Sequence, residues 1–321
     1  MTTIFVYEHL TALEGARGDS SSPLAPSLLA EGRAMRDAVC ADFERSPGVR
    51  VRTLDTDSEP AFRKEAAAAD YVLVIAPEFD GILEKRCRWA EESGSELLGP
   101  TPMAVCLTAD KLRLAQHLRA AGVPTPECWP LGQEPTDAFP IAWKPRDGAG
   151  SQATFLLTTP ADRLRVQAAL ESERCPSPMI AQTFVEGVAA SIAFLIGPQG
   201  ATALVPCRQH LSDDGRFIYR GGSLPLPRPL ASQALQVASA AVGCVEGLRG
   251  YVGVDVVVTE HEGWVIEMNP RLTTSYIGLR ALARFNLAEA MLATFRGEEL
   301  SSLEWEARAI TFTADGRVGI Q

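Results

Sequence analysis

The segment GYVGVDVVVTEHEGWVIEMNPR, residues 250–271, restricts the fold more than any other part of the chain. Two apolar runs flank a Glu-His-Glu-Gly turn, which is the pattern of a β-hairpin. If Val258 pairs with Trp264, the hairpin register places Asp255 directly opposite Glu267. The sequence therefore predicts two carboxylates facing each other on an otherwise apolar pair of strands.

The opposed carboxylates predict a metal site, because like charges that face each other across a hairpin repel. Alternation along the strand places Glu267 and Asn269 on one face, next to Asp255. Carboxylate and amide oxygens of this kind suit Mg²⁺ or Mn²⁺ bridging phosphates. The alternative is a solvated hairpin face with acids placed by chance. The opposite, packing face would carry Trp264, Ile266 and Met268.

A glycine-rich segment, AWKPRDGAGS at residues 142–151, follows the pattern strand, turn, strand. Lys144 lies at the end of the first strand, and the glycines let backbone N–H groups approach an anion closely. It is not a Walker A loop, because the lysine precedes the glycines. The segment indicates phosphate binding, with an ordinary hairpin turn as the alternative. Arg271, beside the predicted metal site, could stabilise phosphoryl charge or bind a carboxylate, or could be a surface arginine.

A third segment, AQTFVEG at residues 181–187, carries Gln182 on a strand that ends at Glu186 and Gly187. Backbone leaving a strand can present N–H and C=O groups to adenine. A plain β-turn is the alternative.

Composition excludes several classes of protein. Forty acidic and thirty basic residues give a net charge of −10, which argues against nucleic-acid binding. The chain has no apolar run of membrane-spanning length and no signal-peptide pattern at its start. Seven scattered cysteines without a CxxC pair favour neither disulfides nor structural zinc. We therefore expect a cytoplasmic protein without nucleic-acid or membrane partners.

The order of predicted elements divides the chain into three units. Residues 1–98 alternate strands and helices, which predicts a small doubly wound lobe with ligand positions after its strands. Residues 99–178 begin with a helix that Thr108 is expected to cap and that continues to Ala121. Residues 179–321 contain further strands, a long helix and the hairpin.

Together, the segments resemble the ATP-grasp superfamily: a helix with Asp110-Lys111, Lys144 with its glycine-rich loop, QTFVEG, and Asp…Glu-x-Asn-Pro-Arg, in that order. The resemblance covers about residues 99–290. It implies an α/β and α+β fold with an N-terminal Rossmann-like pre-ATP-grasp lobe and two α+β subdomains. These subdomains would hold ATP and Mg²⁺ between them and form an acyl phosphate, which an amine attacks.

The resemblance also implies roles for individual residues. Many members carry an acid that holds the ribose after the adenine segment, whereas this chain has Val188-Ala189-Ala190-Ser191. Ribose contacts must then come from elsewhere, or nucleotide affinity is reduced. By matching position, the phosphates would be contacted by Lys111, Lys144 and the loop residues Asp147, Gly148, Gly150 and Ser151, and the adenine by Gln182, Thr183 and Val185. The metal would be held by Asp255, Glu267 and Asn269. The reacting groups would be contacted by Lys144 and Arg271.

A narrower similarity links VYEHLTALEG, LLAEGRAMRDA, APEFDGIL and EMNPRLTTSYIGLR to the tyramine–glutamate ligases of methanofuran-type cofactor synthesis, and pyrrolysine-pathway ligases are similar too. It implies that glutamate is the carboxylate and that a homodimer is a candidate assembly. The individual substrate candidates are Glu8, Glu78, Gln209, Tyr219, Gly221, Thr273, Thr274 and Ser275. The alternative interpretations are an exposed hairpin for Gln209, Tyr219 and Gly221, a surface acid for Glu8, and helix N-capping for Thr273, Thr274 and Ser275.

The expected function is therefore an ADP-forming carbon–nitrogen ligase. Three alternatives stay open: a carboxylase or kinase on the same scaffold, a nucleotide sensor that has lost its chemistry, and a structural α/β protein. The products of ATP turnover separate the first of these from a ligase, and binding of Mg-ATP separates the others.

Overall fold

The first part of the molecule is a parallel sheet covered by helices on both faces. The computed structural model describes residues 1–17, 26–148, 150–173, 177–300 and 302–320. The sheet order is β2-β1-β3-β4, with parallel pairing throughout. Its elements are β1 (Thr2–Glu8), α1 (His9–Arg17), α2 (Pro26–Glu44), β2 (Val49–Thr53), α3 (Glu59–Ala67), β3 (Tyr71–Ile75), α4 (Ile82–Glu92) and β4 (Glu96–Leu97).

Burial on both faces explains why the two central strands, β1 and β3, are almost continuously apolar. On β1, Ile4 and Val6 pack in one core cluster with Met35 of α2, while Phe5 and Tyr7 belong to another. The predicted doubly wound lobe is confirmed. A 3₁₀ turn, Phe79–Gly81, follows β3 at the carboxyl edge of the sheet.

A second, antiparallel sheet follows, in the order β5-β8-β6-β7. Residues 99–178 and 179–321 were predicted as separate units, but the strand that begins at Met179 pairs within this sheet. The division at residues 98 and 178 stays a prediction. The elements are α5 (Pro102–Ala109), α6 (Lys111–Ala120), β5 (Cys128–Pro130), β6 (Ile141–Pro145), β7 (Phe155–Leu157), α7 (Asp162–Glu173) and β8 (Met179–Thr183).

The predicted helix at 109–121 forms as α6, but Thr108 does not cap it, because Thr108 lies in a separate helix, α5, and the two helices meet at Asp110. Asp110 has extended backbone angles, and its carboxylate accepts a hydrogen bond from the backbone N–H of Arg113 at 3.1 Å. The same carboxylate accepts two hydrogen bonds from Arg146, at 2.8 and 2.6 Å. The acceptor strength of a carboxylate at a helix start favours this break, and it fixes Lys111 as the first residue of α6.

The third sheet has the order β14-β13-β9-β11-β12-β15-β16, with β10 paired to β9. One face of β13 packs Val252 and Val254 against Val237 and Ala238 of a long helix. The elements are β9 (Val188–Gly197), β10 (Gly200–Ala203), β11 (Cys207–Leu211), β12 (Tyr219–Leu224), α8 (Arg228–Cys244), β13 (Gly250–Val258), β14 (Gly263–Asn269), α9 (Ser275–Leu282), α10 (Leu287–Arg296), β15 (Ile310–Thr313) and β16 (Val318–Ile320).

A buried polar contact joins the first lobe to the third sheet. The carboxylate of Asp42, on α2, is fully buried and accepts hydrogen bonds from Tyr276 Oη at 2.7 Å and from Arg280 Nε at 2.9 Å. Asn286 Nδ2 donates to the backbone carbonyl of Asp42 at 2.7 Å. Helix α2 is thereby fixed against α9. In the part of the chain that the structure describes, no helix is both long and apolar enough to cross a membrane.

Candidate functional site

A cavity of about 780 Å³ lies between the second and third sheets and is closed on one side by α2. Three of the predicted site residues, Glu8, Glu78 and Gly221, do not line it. The cavity does bring together Lys111, Lys144, Asp147, Gly148, Gly150, Ser151, Gln182, Thr183, Val185, Gln209, Tyr219, Asp255, Glu267, Asn269, Arg271, Thr273, Thr274 and Ser275.

The Glu8 carboxylate caps a helix and does not face the cavity. It accepts hydrogen bonds from the backbone N–H groups of Leu10, at 3.1 Å, and Thr11, at 2.7 Å, at the start of α1. Glu8 is buried, and burial raises its pKa. A Cβ atom at Gly32 would lie 2.5 Å from its Oε1, so α2 also covers it. The prediction that Glu8 contacts a substrate is therefore wrong.

The hairpin opposes Asp255 and Glu267 as predicted, but through a different register. Val257, not Val258, pairs with Trp264, and a β-bulge between Asp255 and Val256 restores the predicted pair. Because a bulge adds one residue to one strand, the side chains on one side of it point to the opposite faces from those that strict alternation predicts.

Because of the bulge, the predicted packing face of the hairpin is wrong at Ile266. Val265 is fully buried under α8, together with Met268, while Ile266 lines the cavity. Ile266, predicted to pack in the core, therefore lies on the same side as Glu267. An extra residue at a bulge places two neighbouring side chains on one face, which strict alternation does not allow.

The two carboxylates differ in their electrostatic environments. Burial raises the pKa of Asp255 to about 7, and the charge of Glu267 adds to this effect. Burial also raises the pKa of Glu267, but Lys111 and Lys144 outweigh it and hold the pKa below its usual value. Lys111 Nζ lies 3.5 Å from Glu267 Oε2. Lysine charges thus compensate this carboxylate pair only in part.

The donor set suits a hard divalent cation. Asn269 Nδ2 lies 3.1 Å from Asp255 Oδ2, so the amide adjoins the carboxylate pair, and turning the amide over would present its oxygen. Within residues 1–17, 26–148, 150–173, 177–300 and 302–320, no group of three His, Cys, Asp or Glu side chains could hold a metal. A cation bound here would therefore take two carboxylates and one amide, with its remaining positions left for other oxygens.

Two ammonium groups lie beside the glycine-rich loop. Lys144, on β6, is 7% exposed, and burial lowers its pKa. Lys111 Nζ donates to the carbonyl of Gly148 at 3.1 Å, which joins the start of α6 to the loop. Lys111 therefore bridges the loop and Glu267, and Lys144 is close enough for its charge to act on Glu267. Ala149, within the predicted loop, lies outside the described residues.

The loop is held by the first lobe. Asp147 accepts hydrogen bonds from the backbone N–H of Asp80, at 3.2 Å, and from the Ser177 hydroxyl. Gly150 has φ of +73°, and a Cβ there would lie 2.4 Å from Leu28 Cδ2 of α2. Only glycine combines this backbone conformation with so close an approach. Asp147 acts in this structure as an anchor of the loop.

The predicted adenine segment forms another wall. Gln182 is buried on β8, and its Nε2 donates to Cys128 Sγ at 3.2 Å. Phe184, Ala142 and Ile266 also line the cavity. This wall is apolar and is bordered by the backbone of the chain leaving β8. A flat heteroaromatic ring would match both properties.

Arg271 is positioned by a buried ion pair. Its Nε lies 2.8 Å from Glu78 Oε1, and its Nη2 donates to Glu78 Oε2 at 3.1 Å. Burial lowers the pKa of Arg271, but Glu78 outweighs this effect and raises the pKa. Glu78, predicted as a substrate contact, instead holds the arginine from the end of the first sheet.

The residues after Arg271 form a hydroxyl cluster. Thr273 Oγ1 and Ser275 Oγ are 2.8 Å apart, and Tyr251 Oη lies 3.2 and 3.1 Å from them. Thr274 precedes α9 but makes no side-chain capping bond. The capping alternative therefore does not describe these hydroxyls. Tyr219 lines the cavity nearby, and burial raises its pKa well above the usual value.

The sequence reasoning missed the contribution of the first lobe to the cavity. Glu31 and Met35 of α2, and Phe79 and Asp80 of the 3₁₀ turn, line it. A signal was present, because Glu31 interrupts the apolar face of α2 between Leu28 and Met35. An acid at such a position points either to a buried partner or to a ligand.

Comparisons with known proteins agree with this architecture. A model of the ATP-grasp domain matches residues 108–275, and a model of the pre-ATP-grasp domain matches residues 34–105. Tyramine–L-glutamate ligase of Methanocaldococcus fervens is 28% identical over 72% of this chain and 68% of its own length. D-alanine–D-alanine ligase of a Synechococcus species is 28% identical over 69% of this chain and 73% of its own length.

A solved structure of an ATP-grasp superfamily protein from Archaeoglobus fulgidus superimposes with a TM-score of 0.75. It is 26% identical and covers 98% of this chain and 92% of its own. The predicted fold, the resemblance to tyramine–glutamate ligases and the expectation of a carbon–nitrogen ligase are confirmed. The chain belongs to the ATP-grasp family.

Proposed function

We propose that this ligase uses ATP and Mg²⁺ to join a carboxylate to an amine through an acyl phosphate, releasing ADP and phosphate. One observation carries the proposal. A single cavity holds two opposed acids, Asp255 and Glu267, two lysines, Lys111 and Lys144, and the buried Arg271. This arrangement offers oxygen ligands for a metal and separate cations for phosphate and for a carboxylate.

The proposed nucleotide contacts follow the walls of the cavity. The backbone and side chains of Gln182, Thr183 and Val185 would contact adenine, and Ile266 also lines the cavity. Asp255, Glu267 and Asn269 would hold Mg²⁺, which when bound offsets the charge of the phosphate oxygens. The remaining phosphate contacts would come from Lys111, Lys144, Gly148, Gly150 and Ser151.

The proposed reaction has two steps. A carboxylate oxygen of the substrate attacks the γ-phosphorus, and the bond to the β–γ bridging oxygen breaks, so that ADP leaves. Lys144 stabilises charge on the transferred group, and Arg271 orients the carboxylate. The amine nitrogen then attacks the acyl carbon, and the bond from that carbon to the phosphate oxygen breaks. Contact of Leu28 with Gly150 keeps the loop closed over the acyl phosphate and excludes water.

The relatives suggest the substrates. The Methanocaldococcus fervens enzyme is named for tyramine and L-glutamate. We propose that glutamate is the carboxylate here, at the polar end formed by Arg271, Gln209, Tyr219 and the hydroxyl cluster, with an aromatic amine as acceptor. Synthesis of a methanofuran-like cofactor, a cytoplasmic location and a homodimer are parts of the same proposal.

The test is phosphate release from Mg-ATP with carboxylates crossed against amines. The Glu267→Ala variant should lose turnover, because it removes one of the two opposed carboxylates. The Glu262→Ala variant is the matched control, since Glu262 is an exposed acid in the turn of the same hairpin. Release that needs one carboxylate and one amine, and that is lost only in Glu267→Ala, supports a ligase. Full activity of Glu267→Ala would remove the metal assignment.

A nucleotide sensor is the second candidate, and one observation favours it. Val188, Ala189 and Ser191 line the cavity where many members carry an acid for the ribose. Binding of Mg-ATP to the wild-type protein without phosphate release from any substrate pair would support the sensor.

A further inference from the structure

Helix α2 presents Glu31 and Met35 to the cavity. Leu28, Glu31 and Met35 are spaced three and four residues apart, so they lie on the same helix face. Leu28 contacts the loop at Gly150, and Met35 packs into the core of the first lobe. Glu31 therefore lies on the wall between the phosphate loop and the core.

The position of this wall is fixed. Asp42, one end of the polar contact with Tyr276 and Arg280, is on the same helix as Glu31. Helix α9, which carries those two partners, begins directly after the residues Thr273 and Thr274 that line the cavity. The distance between Glu31 and the hydroxyl cluster is therefore set by the fold.

Glu31 differs from the other acids that line the cavity. Among the described residues these are Glu31, Asp80, Asp147, Asp255 and Glu267. Asp255 and Glu267 face each other beside Lys111, Asp147 anchors the loop, and Asp80 is exposed. No described cation lies within 4.0 Å of the Glu31 carboxylate, because the nearby Arg271 pairs with Glu78. Glu31 is thus a partly buried acid without an ion-pair partner among the described residues.

The electrostatics of Glu31 agree with a site for a cation. Burial raises its pKa to about 7, and Arg271 opposes this effect. Burial raises the pKa of Tyr219, and the charge of the neighbouring Glu31 adds to this effect. The arrival of a ligand with a positive charge would compensate the cost of burying this carboxylate.

We infer that Glu31 is the counter-ion of the amine substrate, which it holds as an ammonium group beside the acyl phosphate. The inference rests on the proposed ligase function and assigns its acceptor site. Met35 and Phe79 line the cavity next to Glu31, so the amine has an uncharged, apolar body. Because the proposed function assigns Asp255 and Glu267 to the metal and Asp147 holds the loop, Glu31 is the partly buried acid left to bind an ammonium group among the described residues of the cavity.

Glu31 also accepts a proton in this assignment. The ammonium group transfers one proton to the Glu31 carboxylate, and the resulting neutral nitrogen attacks the acyl carbon. The carbon–oxygen bond to phosphate breaks, and the phosphate leaves with the electron pair. The second proton lost by nitrogen goes to the departing phosphate. Amide, phosphate and protonated Glu31 are the products of this step.

The experiment compares Glu31→Gln with Glu44→Gln, a change at an exposed acid on the same helix. Phosphate release is measured with glutamate and a panel of primary amines that includes tyramine, together with inhibition by tyrosol, the alcohol isosteric with tyramine. Glu31→Gln should raise the KM of the amine about 10- to 100-fold, the range for a charge-assisted hydrogen bond. The KM values of ATP and glutamate and the inhibition by tyrosol should change less than about twofold. Glu44→Gln should match the wild-type protein.

Calorimetric binding of the same amines, with Mg²⁺ and a non-hydrolysable ATP analogue, provides a readout that does not need turnover. If the wild-type protein binds an amine, Glu31→Gln weakens that binding, and neither protein turns over ATP, the ligase function would be refuted and the Glu31 assignment would stand. Turnover with an unchanged amine KM in Glu31→Gln would overturn the assignment alone. An equal rise in the KM values of amine and glutamate, or a rise for glutamate only, would overturn it too. A wild-type protein that binds none of the amines would overturn both.

Discussion

Replacement of Asp42 by Asn tests the contact that joins the first lobe to the third sheet. Asn keeps the size of the side chain but removes the charge, so Arg280 loses a buried carboxylate at 2.6 Å. Removing one partner of a buried pair costs about 3–5 kcal/mol. The low end applies because Arg280 is 27% exposed, and Arg45, a second partner, is 62% exposed and contributes little. We expect Asp42→Asn to lower the free energy of unfolding by about 3 kcal/mol.

Urea denaturation followed by tryptophan fluorescence and circular dichroism measures this loss. Asp37→Asn is the matched control, because Asp37 lies on the same helix, is 59% exposed and pairs with its neighbour Arg36. The control should stay within about 0.5 kcal/mol of the wild-type protein. A loss below about 1 kcal/mol in Asp42→Asn, the value of an exposed pair, would refute the reasoning.

Three further predictions concern pH, the loop and the nucleotide. Burial lowers the pKa of His9 to about 4, so the unfolded chain binds a proton that the folded chain does not between pH 6.5 and 4. Stability should therefore fall by about 3 kcal/mol over this range as pH decreases, and His9→Gln should reduce the slope of denaturation midpoint against pH. Gly150→Ala should lower kcat/KM for ATP about tenfold or more, because its Cβ meets Leu28. Gly94→Ala has a similar φ of +81° but open space and should not, and adding Leu28→Ala should restore part of the loss. Lys144→Met should weaken Mg-ATP binding by about tenfold or more in calorimetry, and unchanged affinity would remove its phosphate contact.

The hairpin shows which structural features a local sequence pattern can predict and which it cannot. Opposed acids on apolar strands were readable from the sequence, because burial and alternation act over a few residues. The bulge opposite Asp255 and Val256 was not, since β13 keeps a regular register with β9 and the extra residue, Ile266, lies on the edge strand β14, which packs against α8. It reversed Val265 and Ile266 while leaving the opposed pair in place.

Contacts between distant segments were the part that sequence reasoning missed. Glu8 is a plausible substrate acid in isolation, yet its carboxylate caps α1 because the chain turns directly into a helix after β1. Glu78 and Arg271 are 193 residues apart in sequence and pair only through the docking of the lobes. Glu31 enters the cavity for the same reason. Asp110 was readable as a stronger cap than Thr108, but its second role, binding Arg146, was not.

The most direct test of the acyl phosphate is the transfer of oxygen from the carboxylate to phosphate. Glutamate labelled with ¹⁸O in its carboxylates is converted with Mg-ATP and the amine identified by the phosphate-release panel, and the released phosphate is analysed by mass spectrometry. Attack of the carboxylate on the γ-phosphorus, followed by cleavage of the carbon–oxygen bond, should place one labelled oxygen in each phosphate released. Unlabelled phosphate formed together with the amide would contradict the mechanism, because its oxygen would then have come from water or from ATP alone.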